Sequence, residues 1–366
     1  MSCSIVSKVS SLAPPAANQV ELVLIGPRYG ESMCLHIGDN RWVVVDSCVY
    51  GPSKVPAPLY YLDQIGVSPL AIERVAATHW HDDHVRGLSA VVDAAQNAKF
   101  CMPNALSTRE FATLAAAYSS TPMTKGVTEL HTILKEIDVG RILMCGPSQL
   151  ILRDTTSAGA VEIWSLSPST DELRASLVEF SALIPKEGEP LNQSPSRSPN
   201  HLAMVLFVKV GDVSMVLGAD LEEHGDPNRG WSAVLTQMAT ESGSSLFKIP
   251  HHGSATAYHS GVWSNMLSSN PVAVITPFHH GRSKLPTDEE VRRIKGHTEH
   301  VFLTTPQPLV RSKGKPQIVE DEIAAVTKGR GMHHEQVSPG VIRCRVDLAS
   351  NAGTWDVGLI GAAVQL

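Results

Sequence analysis

Five times in this 366-residue chain a strand-length apolar run stops on or just before a histidine or an aspartate. Residues 42–45 run into Asp46, and 72–77 run into Thr78-His79-Trp80-His81-Asp82-Asp83-His84. Residues 213–217 lead to Asp220, 246–249 to His251 and His252, and 272–276 to His279 and His280. A chain that repeatedly places ionisable groups at the C-terminal ends of apolar strands is built for a layered α/β fold, where strand ends gather ligand groups on one rim. With 43% hydrophobic residues, a chain of this length buries a core large enough to fold without disulfides or a structural metal.

The patterning fills in between these strands. Residues 20–25, 33–37 and 42–45 read as strands, with Gly38-Asp39-Asn40 as a hairpin turn. Helical spacing is expected over 59–65, 85–95, 109–117 and 127–136, with a further short strand over 98–102. Gly211-Asp212 joins a second hairpin, 201–210 with 213–217, and Thr287 with Glu290 has capping-box spacing for a helix over 287–294. Residues 301–304, 340–346 and 354–359 read as strands. The organisation expected is a loose lead-in over 1–18, one domain over 19–310, and a C-terminal extension over 311–366 packing on that domain. The Pro/Ser/Gly/Asn-rich stretch 185–199 is a loop over the site rather than a linker, because motif residues lie on both sides of it. There is no internal repeat. His36, His131, His224, His259, His297, His300, His333 and His334 show no ligand spacing and read as surface residues.

The 79–84 segment holds three His and two Asp in six positions. Imidazole and carboxylate together suit zinc, iron or manganese. In an extended segment His79 and His81, two apart, face one side and can share an ion. Asp83 and His84, in the following turn, can reach a second. A pair of dications provides a bridging hydroxide at neutral pH and a clamp on the leaving oxygen.

The His-x-His-x-Asp-His arrangement resembles the metallo-β-lactamase fold superfamily, and the resemblance covers roughly residues 20 to 305. It implies an αββα sandwich of two mixed sheets flanked by helices, with the site at one edge. Asp46 resembles the family's early aspartate that supports a ligand, Asp220 in Leu-Gly-Ala-Asp the carboxylate that bridges two ions, and Lys248-Ile-Pro-His-His-Gly-Ser254 the late histidine motif. The stretches 200–206 and 250–254 are similar to the branch containing the hydrolase domain of bacterial DNA-uptake channel proteins and the phosphorylcholine esterase, both acting on phosphodiesters. The implied ligands are His79, His81, Asp83, His84, Asp220, one of His251 and His252, and His201 as the candidate third ligand of the first ion. Asp83 or Asp220 would orient the nucleophile and take its proton. Ser254, His280 and Lys284 are candidate substrate contacts. The expected cofactor is two divalent ions, zinc first, with manganese or iron as alternatives.

The expected function is a two-metal phosphodiesterase or nuclease. The alternatives are a lactone, thioester or β-lactam hydrolase on the same site, and a non-catalytic metal-binding module of a larger assembly. A net charge of -6 argues against broad polyanion binding but leaves a phosphodiester or nucleic-acid substrate open, since bound dications supply positive charge locally. Six cysteines without a Cys-x-x-Cys pair read as reduced and buried. With no signal-like N-terminus and no run of bilayer-spanning length, the sequence reading is cytoplasmic, without membrane insertion.

Overall fold

The computed structural model describes residues 6–8, 13–51, 53–118, 125–184, 199–237, 242–280, 283–307, 339–350 and 353–366. Two mixed sheets lie face to face. The first runs, in spatial order, Val6–Lys8, Asp356–Ile360, Gly340–Asp347, Gln19–Gly26, Ser32–His36, Trp42–Val45, Ile72–Ala76, Lys99–Pro103 and Ile142–Cys145. The second runs Gln149–Thr156, Gly159–Ser165, Leu206–Val210, Val213–Leu217, Ser244–Lys248, Leu267–Ile275, Val301–Leu303 and Val364–Gln365.

Strand alternation divides the apolar residues into three layers. Val20, Leu22, Leu24, Val43 and Val45 face the second sheet's Leu206, Val208, Met215, Leu217 and Leu246 in the central core. Their neighbours Val23, Ile25, Trp42 and Val44 point the other way, under an outer layer that includes Tyr61, Leu62, Leu88, Phe111, Leu130 and Phe180. Val205, Phe207 and Phe247 of the second sheet pack against Trp231, Val234, Val262 and Ile294 on its outer side. The central strands of both sheets are buried on both faces, so they read as continuous apolar runs. The fold is the αββα sandwich of two mixed sheets flanked by helices.

Several elements differ from the sequence reading. The helix expected over 85–95 is two, Asp82–Val85 and Leu88–Ala94, because Gly87 adopts φ 75° between them, a left-handed conformation that a helix interior does not contain. Strands Ile142–Cys145, Gln149–Thr156 and Gly159–Ser165 and helix Thr170–Leu183 occupy a stretch in which the sequence reading finds no element. Arg153, Asp154 and Thr155 are consecutive and exposed in the second of these strands, so alternation is lost there. Val6–Lys8, within the expected lead-in, pairs in parallel with the strand Asp356–Ile360. The C-terminal segment does not simply pack on the domain. Gly340–Asp347 is hydrogen-bonded between Gln19–Gly26 and Asp356–Ile360 inside the first sheet, and Val364–Gln365 borders the second. The proposed 185–199 loop, up to residue 198, and residues 308–338 lie outside the described residues. The capping box at Thr287 and Glu290 is formed.

His36 is not on the surface but fully buried. Its Nδ1 donates to the Gln19 carbonyl (2.9 Å), and its Nε2 accepts from the Asn40 amide (3.1 Å). Burial pushes its pKa down to about 4, below the unfolded value near 6.5. The unfolded chain therefore takes up this proton first, and the stability that neutral His36 contributes is complete above about pH 6.5 and lost as pH falls toward 4. In His36→Gln this part of the acid sensitivity should vanish. The stability difference between wild type and variant, read from urea melts, should shift by about 2–3 kcal/mol between pH 7.5 and 4.5. Parallel pH profiles for the two proteins would refute it.

Candidate metal centre

Parallel pairing brings the strand ends together. Val45 is level with Ala76 in the first sheet, and Leu217, Lys248 and Val274 are in register across the second. The residues just beyond these ends therefore meet on one rim, between the sheets.

The three innermost histidines are oriented by their Nδ1 atoms. His84 Nδ1 donates to Asp46 Oδ2 (2.7 Å), His252 Nδ1 to the Thr276 carbonyl (2.8 Å), and His79 Nδ1 to Thr78 Oγ1 (3.0 Å). Thr78 in turn donates through its amide and its hydroxyl to the two oxygens of Asp46, each at 2.7 Å. Nδ1–H bonding of this kind leaves Nε2 with its lone pair facing inward, as a metal ligand requires. Asp46 thus lies behind His84, and burial pushes its carboxyl pKa up.

The inward atoms converge. His252 Nε2 is 3.3 Å from Asp83 Oδ2 and 3.5 Å from Asp220 Oδ2, and His84 Nε2 is 3.4 Å from Asp220 Oδ2 and 3.9 Å from Asp83 Oδ2. A tetrahedral zinc with ligand bonds of 2.0–2.1 Å separates its ligand atoms by about 3.3 Å. His84 Nε2, His252 Nε2 and Asp220 Oδ1 are buried without a hydrogen-bond partner, an arrangement that costs free energy unless something positive sits among them. A dication fits this set. On its other side Asp220 Oδ2 lies 4.0 Å from His79 Nε2, which is 3.1 Å from His81 Nδ1, so one carboxylate belongs to two groups of donors.

The electrostatics follow the same geometry. Burial works against a charged His84, but Asp220, Asp46 and Asp83 overcome it and raise its pKa well above the usual range. Burial likewise opposes ionisation of Asp83 and Asp220, yet the facing His84 and His252 hold both below the usual carboxylate range. His79, with two histidines beside it, is pushed well down by burial. The centre is electrically prepared for a cation.

The late histidines do not alternate as strand neighbours. His251 and His252 have φ of 44° and 54°, and Ala219 beside them 46°, left-handed values that non-glycine residues adopt at a cost and that cluster at functional sites. This turn sends His252 into the cluster. His251 is directed at Glu222 (2.9 Å) and Asn200 (3.2 Å). His201 is not brought to His79. Its ring lies 3.8 Å from that of His224, and its Nδ1 faces Glu222 at 3.9 Å, because Asn200 and not His201 turns toward His251. Ser254 caps a short turn, accepting from the Thr256 amide. His280 packs on Tyr29 (4.8 Å), and Lys284 pairs across a two-stranded ribbon with His279.

Sequence reasoning overlooked a buried pair beneath the centre. Lys248 and Glu31 are fully buried, with Lys248 Nζ 2.5 Å from Glu31 Oε1, donating to the Ala219 carbonyl (2.8 Å) and 3.8 Å from Asp220. Thr276 donates to Glu31 as well. A lysine inside the apolar run 246–249 was a legible signal. Glu31 had none, since it is placed by Gly30 at φ 113°, where a Cβ would meet Cys48 at 2.6 Å, and by the hydrogen bond its backbone N–H donates to the Asp83 carbonyl. Tyr29 lies far in sequence from the ribbon it packs against, and Glu222, although two residues after Asp220, was missed because its partner His251 comes from another segment.

Solved structures to which the chain is similar include the metallo-beta-lactamase fold protein YhfI of Bacillus subtilis, at 12% identity and TM-score 0.39, covering 79% of this chain and 97% of that one. A metallo-beta-lactamase of Cronobacter sakazakii (13%, TM-score 0.35, 62% and 76%) and MIM-1 of Novosphingobium pentaromativorans (13%, TM-score 0.35, 62% and 76%) are further ones. No curated protein matches the sequence. The family model described as the metallo-beta-lactamase superfamily matches residues 26–167, the stretch that supplies Asp46, His79, His81, Asp83 and His84. Residues 26–167, which hold the histidine turn, are thus similar in sequence to the metallo-β-lactamase superfamily.

Proposed function

We propose that this chain is a metal-dependent hydrolase that cleaves phosphodiester bonds with two divalent ions, zinc foremost. The observation that carries the metal reading is the convergence of Asp83, His84, Asp220 and His252 on one point, with buried donor atoms left unpaired and Asp220 shared with the His79–His81 group. Dications held there supply Lewis-acid charge and bring the ionisation of water into the neutral range. Asp83 and Asp220, held ionised, orient the attacking water, and Asp83 takes its proton. Asp46 and Thr78 keep His84 and His79 in the ligand tautomer. His251 and Glu222 border the second group of donors.

The rim favours an anionic substrate. The ribbon Phe278–His280 with Ser283–Leu285 carries His279, whose pKa is lowered by burial and by nearby Lys284 and Arg28. Phe278 stands 5.1 Å from the His252 ring and 5.6 Å from Tyr29, over which Arg86 lies at 4.7 Å. Cations and aromatic rings beside a metal pair suit a phosphodiester with a planar substituent. Among the described residues, Cys34, Cys48, Cys101 and Cys145 are free and buried, and no helix is long and apolar enough to cross a membrane. The free cysteines support a reducing compartment, the cytoplasm.

Metal analysis of the purified chain, paired with hydrolysis of bis-p-nitrophenyl phosphate and of p-nitrophenyl acetate, tests the reading. The expected result is metal at the centre and phosphodiester cleavage that stops with chelator and returns with zinc or manganese. Cleavage of the carboxylic ester alone would move the assignment to ester, lactone or thioester substrates. Metal without turnover of any substrate would make the chain a binding module.

A further inference from the structure

We infer that Glu172, His201 and His224 form a separate binding site for a transition-metal dication, outside the centre described above. The three side chains come from three segments: Glu172 from the first turn of helix Thr170–Leu183, His201 from the turn Pro199–Leu202, and His224 from the loop between Asp220 and helix Gly230–Gln237. Their ligand atoms lie within 4.8 Å of one another. His224 Nε2 is 3.3 Å from Glu172 Oε1, about the edge of a tetrahedral zinc site.

Two further observations point to a ligand. His201 Nδ1 and His224 Nε2 are both shielded from solvent and both lack a hydrogen-bond partner, although each faces a carboxylate, of Glu222 and Glu172 respectively. Buried ring nitrogens are ordinarily paired, and two orphans in one cluster call for a shared partner. The second is how His224 is seated. Gly230 has φ 57°, and a Cβ there would meet the Glu222 carbonyl at 2.3 Å and His224 Cδ2 at 3.1 Å. Only glycine lets this loop close so tightly onto the helix start.

Glu172 is 2% exposed and is gripped by Arg229, with Nε at 3.0 Å from Oε1 and Nη2 at 2.8 Å from Oε2. The guanidinium fork uses one lone pair of each oxygen and fixes the plane of the carboxylate. The second lone pair of Oε1 stays available on the His224 side. Two imidazoles and a carboxylate select zinc, cobalt, nickel or copper over magnesium or calcium, which want oxygen donors. An ion there ties helix Thr170–Leu183 to the loop carrying Glu222, the residue that holds His251. The site is a clamp on one wall of the candidate centre, sharing none of its donors.

The test uses the full chain and zinc or cobalt as the probe, in a background that removes the first centre. His79→Ala/Asp83→Ala/His84→Ala/Asp220→Ala protein, which lacks donors from both groups of that centre, should retain one tightly held zinc by elemental analysis after dialysis. It should also melt at a higher temperature with zinc than without. Adding His201→Gln/His224→Gln should remove both effects, and cobalt absorption in the visible should fall with them. Anomalous scattering at the zinc edge from wild-type crystals should place an ion between His201 and His224, which settles the case even if the variants fail to fold. No ion at that position, or equal zinc content with and without the His201/His224 substitutions, overturns the site. This result is independent of phosphodiester cleavage, so loss of one reading leaves the other standing.

Discussion

Asp220→Ala should lower kcat/KM for a phosphodiester on the order of 10³-fold while the circular dichroism spectrum stays that of the wild type. The size follows from what one oxygen does. Asp220 Oδ2 stands 3.4 Å from His84 Nε2, 3.5 Å from His252 Nε2 and 4.0 Å from His79 Nε2, so its removal takes a donor from both groups at once. Each ion is worth several kcal/mol of charge stabilisation in the transition state, and about 1.4 kcal/mol is a factor of ten in rate. Asp220→Asn separates shape from charge. It keeps the side-chain volume, removes the negative charge, and should be impaired nearly as much as the alanine variant, with lower metal content at equal free zinc. Activity above about a tenth of wild type in either variant would exclude Asp220 as the shared carboxylate.

The second large effect is on stability. Lys248→Met should destabilise the fold by about 3–5 kcal/mol, measured by denaturant titration at fixed metal content. Lys248 and Glu31 are both fully buried, and removing the ammonium leaves the Glu31 carboxylate out of water near Asp46, with the Thr276 hydroxyl as a remaining side-chain donor. Methionine fills the lysine's space, so the loss reports the stranded charge rather than a cavity. The double variant Glu31→Gln/Lys248→Met removes both charges and should recover most of the loss, because a buried ion pair replaced as a pair is often near neutral. A double variant no more stable than Lys248→Met would mean that the lysine acts through packing and its bond to the Ala219 carbonyl (2.8 Å), not through Glu31.

Much of this molecule was legible in one dimension. Apolar runs ending on His or Asp gave away the strand ends, and the 79–84 segment named the centre's richest donors. These signals are local. A strand's burial is written in its own residues, and a ligand turn in its own spacing. The capping box at Thr287 was equally readable, since Thr and Glu three apart satisfy each other's backbone donors without help from elsewhere.

Other features became visible only in the folded chain. The break at Gly87 depends on one backbone dihedral, and strand Gln149–Thr156 is disguised by charged residues on its exposed edge. His36 looked like a surface residue because its burial comes from the hairpin around it. The choice between His251 and His252 was set by left-handed backbone at both residues, which strand alternation does not describe.

What the sequence by itself determined was the layered α/β class and the residues of the 79–84 turn, because both rest on contacts and periodicities within a few residues. Only the tertiary structure decided that Asp220 and His252 close on Asp83 and His84, that Lys248 neutralises Glu31 beneath them, and that His201 joins His224 and Glu172 instead. Those relations link residues more than twenty positions apart. They are fixed by parallel strand register and by the packing of one sheet on the other, which no local pattern encodes.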